Sequence, residues 1–314
     1  MRIVGTRFVR FLFVILIIAA DPAIADDGAA SLAAGGIVFT NRIAVRMGNE
    51  DLYISPELVR VRFEFANDTP NDIETIVAFP LPDIDLADEY ASMVGPNLPQ
   101  NGPVNFMNFK ATVDGRPIVF RTERRALIAE RDVTSLVAPN GSQADVLTVG
   151  LGVLSNTLPP GELARLNHAG LLVGNTGNFG PKWHVRTRFF WSQRFPAHQR
   201  VVIEHSYKPV TGTWNSADAV VADSKLDARF CIGSGVKALV FKDSDALETD
   251  YILKTAKTWN GPIGHFHLTL DKLKVLNSLS LCWDGELHRT SLTTFEFTQD
   301  NFVPTRDIQM LVLQ

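Results

Sequence analysis

Two histidines one residue apart, in His265-Phe266-His267, are the sharpest candidates for metal chemistry in this sequence. Because side chains alternate along a β-strand, both imidazoles would lie on one face, where they could bind zinc or copper with further ligands. Asp271 has the same parity and would join them if the strand continues that far. The alternative is that Phe266 faces the core while both histidines face solvent. Since no third ligand has a recognisable spacing, we expect no metal site, and His265 and His267 stay weak candidates.

Acidic residues gather after the segment Pro80-Leu81-Pro82, and they form a second candidate site. Paired carboxylates could hydrolyse a glycan or bind calcium. The run lacks the glycine that a D-x-D-x-D-G calcium loop requires, and acidic residues after a strand end are also typical of a solvated loop. We predict no catalytic residue among them; the four are Asp83, Asp85, Asp88 and Glu89.

Hydrolase and nucleotide-binding motifs are missing. His205 and Ser206 are adjacent, so on a strand they would point to opposite faces, and no G-x-S-x-G motif occurs. The glycines of residues 174–180 lack the lysine and the following helix of a phosphate-binding loop. We therefore predict no cofactor. Trp214 and Trp259 lie next to turn residues and could belong to a binding loop, although core packing is the alternative for every tryptophan.

The two cysteines, Cys231 and Cys282, predict a structural disulfide. Both lie in strand-like segments, and the bond would close a loop of about fifty residues, which stabilises by roughly 4 kcal/mol in the chain-entropy model. A redox or metal role is the alternative, but such chemistry usually uses C-x-x-C spacing.

The first 25 residues have the pattern of a secretory signal peptide. Three arginines precede an apolar run of about ten residues, and an Ala-x-Ala site predicts cleavage between Ala25 and Asp26. A retained membrane anchor is the alternative, but a spanning helix needs about twenty apolar residues. We expect a periplasmic or secreted protein that is not stably inserted in a membrane after cleavage.

The charge balance excludes one class of partner. The sequence has 30 Lys and Arg against 34 Asp and Glu, and residues 1–25 hold three arginines and one aspartate, which leaves 27 against 33 after cleavage. Nucleic-acid-binding proteins present clustered basic surfaces, so we predict no nucleic-acid partner. Adhesion to anionic lipid is disfavoured for the same reason.

Alternation of apolar and polar residues predicts a mostly β fold. It is clear in residues 59–65, 183–192 and 200–208, and residues 73–79 are predicted as a further strand after a polar turn. Helical stripes in residues 123–137 and 159–173 predict a helical insertion over about 121–173. We place a sandwich-like antiparallel domain at 26–212 and a smaller β-rich domain, with the disulfide, at 213–314.

Two resemblances extend this prediction. The strand and turn pattern around residues 79–82, 109–120 and 195–207 resembles vault/inter-alpha-trypsin-type β-sandwiches. Nearly the whole mature chain resembles the domain of unknown function 4424 family of secreted proteobacterial proteins. That resemblance is carried by Ala33-Ala34-Gly35-Gly36, Glu50-Asp51-Leu52-Tyr53-Ile54-Ser55-Pro56, Ala78-Phe79-Pro80-Leu81-Pro82-Asp83, Tyr251-Ile252-Leu253-Lys254-Thr255, Trp259-Asn260-Gly261-Pro262-Ile263 and Asn301-Phe302-Val303-Pro304. It implies no particular reaction.

These observations favour a non-catalytic binding or assembly module that contacts another envelope protein. A carbohydrate- or lipid-binding protein with an aromatic cleft is the first alternative, and a small ligand fits it. A hydrolase that uses Asp83 or Asp85, or a metal on His265 and His267, is the second.

Overall fold

The computed structural model describes residues 28–33, 36–39, 43–87, 105–139, 145–175, 178–241 and 244–314. The signal peptide predicted from sequence, its cleavage site at Ala25 and Asp26, and two of the acidic candidates, Asp88 and Glu89, lie outside the described residues. Strands dominate the described chain, so the prediction of a mostly β protein is confirmed. None of the helices in these ranges has the length and apolar character that a membrane crossing requires.

In chain order the strands are β1 (Gly28–Ala33), β2 (Gly36–Phe39), β3 (Val45–Ile54), β4 (Val59–Asn67), β5 (Ile73–Pro80), β6 (Ile84–Asp85), β7 (Lys110–Val113), β8 (Arg116–Pro117), β9 (Arg121–Ile128), β10 (Arg131–Asp132), β11 (Leu172–Asn175), β12 (Asn178–Pro181), β13 (His184–Phe195), β14 (Gln199–Tyr207), β15 (Gly212–Trp214), β16 (Ala246–Tyr251), β17 (Ile263–Asp271), β18 (Ser278–Ser280), β19 (His288–Arg289), β20 (Thr294–Phe302) and β21 (Ile308–Leu313). The helices are α1 (Thr134–Val137), α2 (Val146–Leu154), α3 (Pro160–His168), α4 (Ala217–Ala222), α5 (Ser224–Phe230), α6 (Ser234–Lys237) and a 3₁₀ helix (Lys254–Thr258).

Three sheets carry the fold. Sheet 1 has the spatial order β19-β20-β17-β3-β4-β14-β7-β8, and sheet 2 has the order β10-β9-β13-β5-β1-β2, with β6 also paired to β13. Sheet 3 has the order β15-β16-β21-β18, and β11 and β12 form a separate hairpin. Strands from both sides of the predicted boundary at 212/213 meet in sheet 1, where β17 pairs in parallel with β3. The two predicted regions are thus joined by main-chain hydrogen bonds.

The main core lies between the inner faces of sheets 1 and 2. In β4 the apolar residues at 59, 61, 63 and 65 are fully buried while Arg60 and Arg62 are exposed, as the period of two requires. Phe189 of sheet 2 stacks on Phe109, which precedes β7, with ring centroids 4.3 Å apart. Residues of sheet 3, such as Met310, complete the same apolar cluster.

The helical insertion begins later than the sequence pattern predicts. Residues 121–128 form strand β9, not a helix, and pair with β13. Ala129 and Glu130 then adopt positive φ angles of 45° and 64°, so the chain turns into β10 where a helix would have to continue. The prediction of a helix over 123–137 is therefore wrong except for the single turn α1. The helix predicted over 159–173 is confirmed as α3, which begins with Pro160 in its first turn, but it ends at His168 and residues 172 and 173 belong to strand β11.

The segment before sheet 3 also differs from the sequence prediction. Residues 217–237 form helices α4 to α6, so Cys231 does not lie in a strand. It ends α5 in the left-handed conformation, with φ 51° and ψ 49°. Its Cα atom lies 5.0 Å from that of Cys282, to which it is joined by a disulfide that ties the end of α5 to the segment after β18.

Candidate functional site

A cleft of about 590 Å³ opens where sheets 2 and 3 approach each other, and we call it the charged cleft. Its wall from sheet 2 is the segment that follows β5 together with β13, and its wall from sheet 3 is formed by β16, the start of β21 and helix α5. Leu81, Tyr251 and Ile308 supply a buried apolar floor. The lining residues are 80–83, 186, 228–229, 250–252, 254, 282 and 305–309.

On the sheet 2 side, Arg186 organises the charges. Its guanidinium donates to both oxygens of Asp83, with Nη2 2.8 Å from Oδ2, and also to both oxygens of Glu130, at 3.0 and 3.1 Å. His184 Nε2 lies 3.3 Å from the same Asp83 oxygen. Burial by itself would lower the pKa of Arg186, but the hydrogen bonds that it donates to the two carboxylates outweigh burial and raise that pKa above its ordinary value. Arg186 is thus a fixed cation held by two acids.

On the sheet 3 side, Arg229 reaches from α5 to two carboxylates of β16. It contacts Glu248, and its Nη2 lies 3.3 Å from Oδ2 of Asp250. When the Gln309 amide is oriented to suit its neighbours, its oxygen accepts from Arg229 Nε at 3.1 Å and Nη2 at 2.9 Å. Burial, followed by the charge of Glu248, raises the pKa of Asp250 to about 7, although Arg229 and Gln309 act in the opposite direction.

Two more ion pairs complete the cleft. Lys254 Nζ lies 3.2 Å from Oδ2 of Asp307, whose other oxygen accepts from the backbone N–H groups of residues 253 and 254. Arg306 is more exposed and pairs with Asp284, with Nη2 2.7 Å from Oδ1. Thr305 Oγ1 donates to the other Asp284 oxygen at 2.7 Å.

The charges of this network do not balance. Among the described residues, its cations are Arg186, Arg229, Lys254 and Arg306, and the carboxylates that pair with them are Asp83, Glu130, Glu248, Asp250, Asp284 and Asp307. Every cation already has a carboxylate partner, and two of them have two. Three of these acids, Glu130, Glu248 and Asp284, do not line the cleft, so its lining holds four cations against three carboxylates.

The disulfide borders the cleft, because Cys282 is one of the lining residues. Its Sγ atom lies 3.4 Å from the carbonyl oxygen of Arg229, and Cys231 immediately ends the helix that carries this arginine. The bond thus holds the last turn of α5, which carries Arg229, against the segment after β18.

The two histidines singled out from sequence do not line the charged cleft. They lie on the solvent face of sheet 1. Phe266 is fully buried between them. His265 pairs with Asp300 at 2.7 Å, and His267 pairs with Asp51 at 3.0 Å. No three His, Cys, Asp or Glu side chains are grouped as a metal site anywhere in the described part of the chain. The arrangement matches the alternative in which both histidines face solvent.

The other sequence candidates are dispersed. Asp83 lines the cleft, whereas Asp85 accepts a hydrogen bond from the backbone N–H of Ala87 and does not reach it. Trp259 is buried at 1% exposure with its ring 4.4 Å from that of Phe65, so it is a core residue. Trp214 is half-buried against the small apolar cluster under α4 and α5.

His205 and Ser206 do point to opposite faces of β14. His205 is fully buried against the rings of Phe63, Phe79 and Phe109, and this burial lowers its pKa to about 3. A neutral core imidazole of this kind does not act as the base of a serine nucleophile on the other face.

Sequence reasoning singled out Asp83 but missed the cationic and carboxylate partners of the cleft, because they come from separate segments without a shared spacing. One signal did exist. Two of the motifs on which the family resemblance rests, residues 78–83 and 251–255, contribute lining residues to the charged cleft. The lining segment 305–309 directly follows a third motif, residues 301–304.

The comparisons agree with that resemblance. Residues 25–311 match the family model described as "Domain of unknown function (DUF4424)", so the chain belongs to this family. No curated protein matches the chain. A solved structure with some similarity is that of a candidate nutrient-binding protein from Legionella pneumophila; it is 15% identical, has a TM-score of 0.44, and the match covers 87% of this chain and 68% of that one. At that TM-score the likeness carries no argument about this chain.

Proposed function

We propose that this protein is a non-catalytic, extracytoplasmic binding protein and that the charged cleft takes up a small polar ligand. The observation that carries the proposal is the cleft itself: about 590 Å³ of concave space with an apolar floor and walls of fixed charged groups. Small-molecule sites have this size, and the charged walls suit a polar ligand. Because both walls are held by ion pairs and one of them by the disulfide, the cleft is formed before a ligand arrives, which limits the entropic cost of binding.

The cleft is poorly equipped for hydrolysis. Asp83 accepts hydrogen bonds from Nε and Nη2 of Arg186. Because its oxygens are occupied by this cation, the carboxylate is a poor general base. The described lining residues contain neither serine nor histidine, and the Thr305 hydroxyl is engaged with Asp284. Both oxygens of Asp284 are in turn held by Arg306, so this carboxylate is a weak base for the Thr305 hydroxyl.

A partner protein that adds a strand to a sheet edge is less well supported. The outermost strands of sheet 1 are two residues each, His288–Arg289 and Arg116–Pro117, and the second contains a proline. Short, charged and proline-containing edges are features that prevent strand addition. An aromatic sugar cleft is also less well supported, because Trp259 is buried in the core.

The test is retention of a ligand by protein purified from its own host, measured by native mass spectrometry. Ala228 is an exposed residue of α5 that lines the cleft, so Ala228→Trp should fill the cleft and abolish retention. Ala222→Trp provides a matched control, since Ala222 is exposed on α4 and does not line the cleft. Retention by the wild type and by Ala222→Trp, with loss in Ala228→Trp, is expected. Equal retention by Ala228→Trp, or no retained ligand in any variant, would refute the proposal.

A further inference from the structure

We infer that a second ligand site lies on the solvent face of sheet 1 and binds a phosphate monoester group through Arg60, Lys110 and Ser206. The site is a cavity of about 550 Å³, which we call the outer pocket, and it spans the five neighbouring strands β17, β3, β4, β14 and β7. It shares no lining residue with the charged cleft, so the inference is independent of the proposed function.

Strand register arranges the polar side chains of the outer pocket in two rows that cross the sheet. The first row consists, in strand order, of His267, Asp51, Arg62, Glu204 and Thr112. Its acids have partners within the row: Asp51 lies 3.0 Å from His267, and Glu204 lies 3.9 Å from Arg62 and accepts a hydrogen bond from Thr112 at 3.3 Å. The charges of this row are therefore matched within it.

The second row contains two cations and no acid. In strand order it consists of Thr269, Tyr53, Arg60, Ser206 and Lys110. Neither Arg60 nor Lys110 forms an ion pair with any residue in the described part of the chain. This differs from the charged cleft, where every cation has a carboxylate partner. The outer pocket thus offers two positive charges to a ligand without the cost of displacing an acid.

Arg60 is positioned by an aromatic ring instead of by an acid. Its guanidinium lies over the Tyr53 ring, 5.5 Å from the centroid, and the Tyr53 hydroxyl donates to Asp271 at 2.9 Å. The ring attracts the cation but offers it no oxygen acceptor, so the N–H donors of Arg60 remain for a ligand. Because Tyr53 is itself fixed, part of the order that binding requires is already present.

The donors of the second row suit a phosphate group. Arg60 and Lys110 flank Ser206 on its two neighbouring strands, so their backbones are about 10 Å apart, or two strand spacings. Both long side chains can reach a group above Ser206, whose hydroxyl is a third donor. A phosphate monoester has three terminal oxygens and nearly two negative charges, and it matches a guanidinium, an ammonium and a hydroxyl together. A carboxylate has only two oxygens and one charge.

The experiment is isothermal titration calorimetry at pH 8 and low ionic strength, because salt screens exposed charges. The probes are glycerol 3-phosphate and glycerate, which carries a carboxylate and no phosphate. We expect the wild type to bind the phosphate at least ten-fold more tightly, and Arg60→Gln and Lys110→Gln each to weaken that binding at least ten-fold. Arg200→Gln is the matched control: it removes the same charge from the solvent face of β14, outside the outer pocket, and should leave the affinity unchanged.

Vesicles distinguish the source of the phosphate group. Phosphatidic acid carries a phosphate monoester, so phosphatidylcholine vesicles with and without it are sedimented with the protein. Binding of glycerol 3-phosphate, without binding to either vesicle, assigns the site to a soluble phosphate monoester. Binding to the vesicles with phosphatidic acid alone, and its loss in Lys110→Gln, assigns the site to a lipid headgroup.

Four results would overturn the inference. Two need only the wild type: equal or tighter binding of glycerate, and no binding of either glycerol 3-phosphate or the phosphatidic acid vesicles. The third is unchanged affinity in folded Arg60→Gln or Lys110→Gln. The fourth is loss of affinity in Ala228→Trp, which fills the charged cleft and should not affect the outer pocket; such a loss would place the phosphate in the cleft.

Discussion

Asp250→Asn should stabilise the unliganded protein, and the gain should grow as the pH rises. The pKa of Asp250 is raised from an ordinary value of 3.8 to about 7, so the folded state holds its proton more tightly than the unfolded state does. The stability that this proton brings is present below pH 4 and is lost as the pH rises through 7. Asparagine resembles the protonated acid and does not ionise, so it removes this loss.

The size of the effect follows from the shift. About three pKa units correspond to roughly 4 kcal/mol at 1.4 kcal/mol per unit, which is an upper bound. The Asp250 side chain is 28% exposed and its titration is linked to that of Glu248, so solvent and proton sharing reduce it. We expect Asp250→Asn to be more stable than the wild type by about 2 kcal/mol at pH 8 and to differ little from it at pH 4.

The pH dependence of wild-type stability alone would not reveal the Asp250 contribution, because the His205 contribution changes with pH in the opposite direction. Its burial lowers its pKa from 6.5 to about 3, so the folded state loses stability as the pH falls through that interval. The two trends oppose each other between pH 4 and 6.5. The difference between variant and wild type at each pH cancels the His205 contribution and isolates that of Asp250.

The assay is urea unfolding of the wild type and Asp250→Asn at pH 4.5, 6, 7 and 8, with Asp300→Asn as a surface control. A stability difference that rises with pH supports the reasoning. If the difference is constant, or if Asp250→Asn loses stability as the pH rises, then Asp250 is ionised at neutral pH and is satisfied by Arg229, and the reasoning is wrong.

Three further predictions concern stability. The double variant Cys231→Ser/Cys282→Ser should lose about 4 kcal/mol, because the bond closes a loop with a sequence separation of 51 residues; a loss below 1 kcal/mol in urea titrations would contradict this. Arg186→Met should lose about 3 kcal/mol, since two carboxylates lose their shared cation, and a melting temperature equal to that of the wild type would be inconsistent with it. Gly264→Ala should cost about 1–3 kcal/mol, because the new Cβ would lie 2.5 Å from the backbone oxygen of Gly48; calorimetry showing no change would argue against so close an approach of β17 and β3.

Much of the fold could be predicted from sequence because period-two alternation reports directly on a sheet with one buried face. Residues 59–65 lie within β4, and residues 73–79 lie within β5. The error at 121–128 has a physical cause. This strand is held largely by its pairing with β13 and by ion pairs such as that of Glu123 with Arg188, and neither interaction leaves a periodic apolar pattern. Helix α5 is short and stabilised by its Asp223 cap, so its apolar pattern is too brief to distinguish it from a strand.

The charged cleft could not be predicted in the same way. Its principal charges, at positions 83, 186, 229, 250 and 306, come from five segments that only the tertiary fold brings together. Residue spacing in a sequence reveals sites that lie within one strand or helix, such as the two histidines of β17. In this protein those histidines lie on the solvent face of sheet 1. Arg186 gives no signal of its own, because β13 also carries Arg188 and Arg194, and arginines on such a strand are equally typical of an exposed face.

The parallel pairing of β17 with β3 means that sheet 1 cannot be completed until the chain has been made as far as β17. Asp51 and His267, which meet across these strands, are 216 residues apart. Until β17 is in place, β3 presents a bare hydrogen-bonding edge along residues 49–54, and no nearer segment of the described chain fills that place in sheet 1. A chain interrupted before residue 263 would keep this edge open to other unfinished chains, which is a route to aggregation.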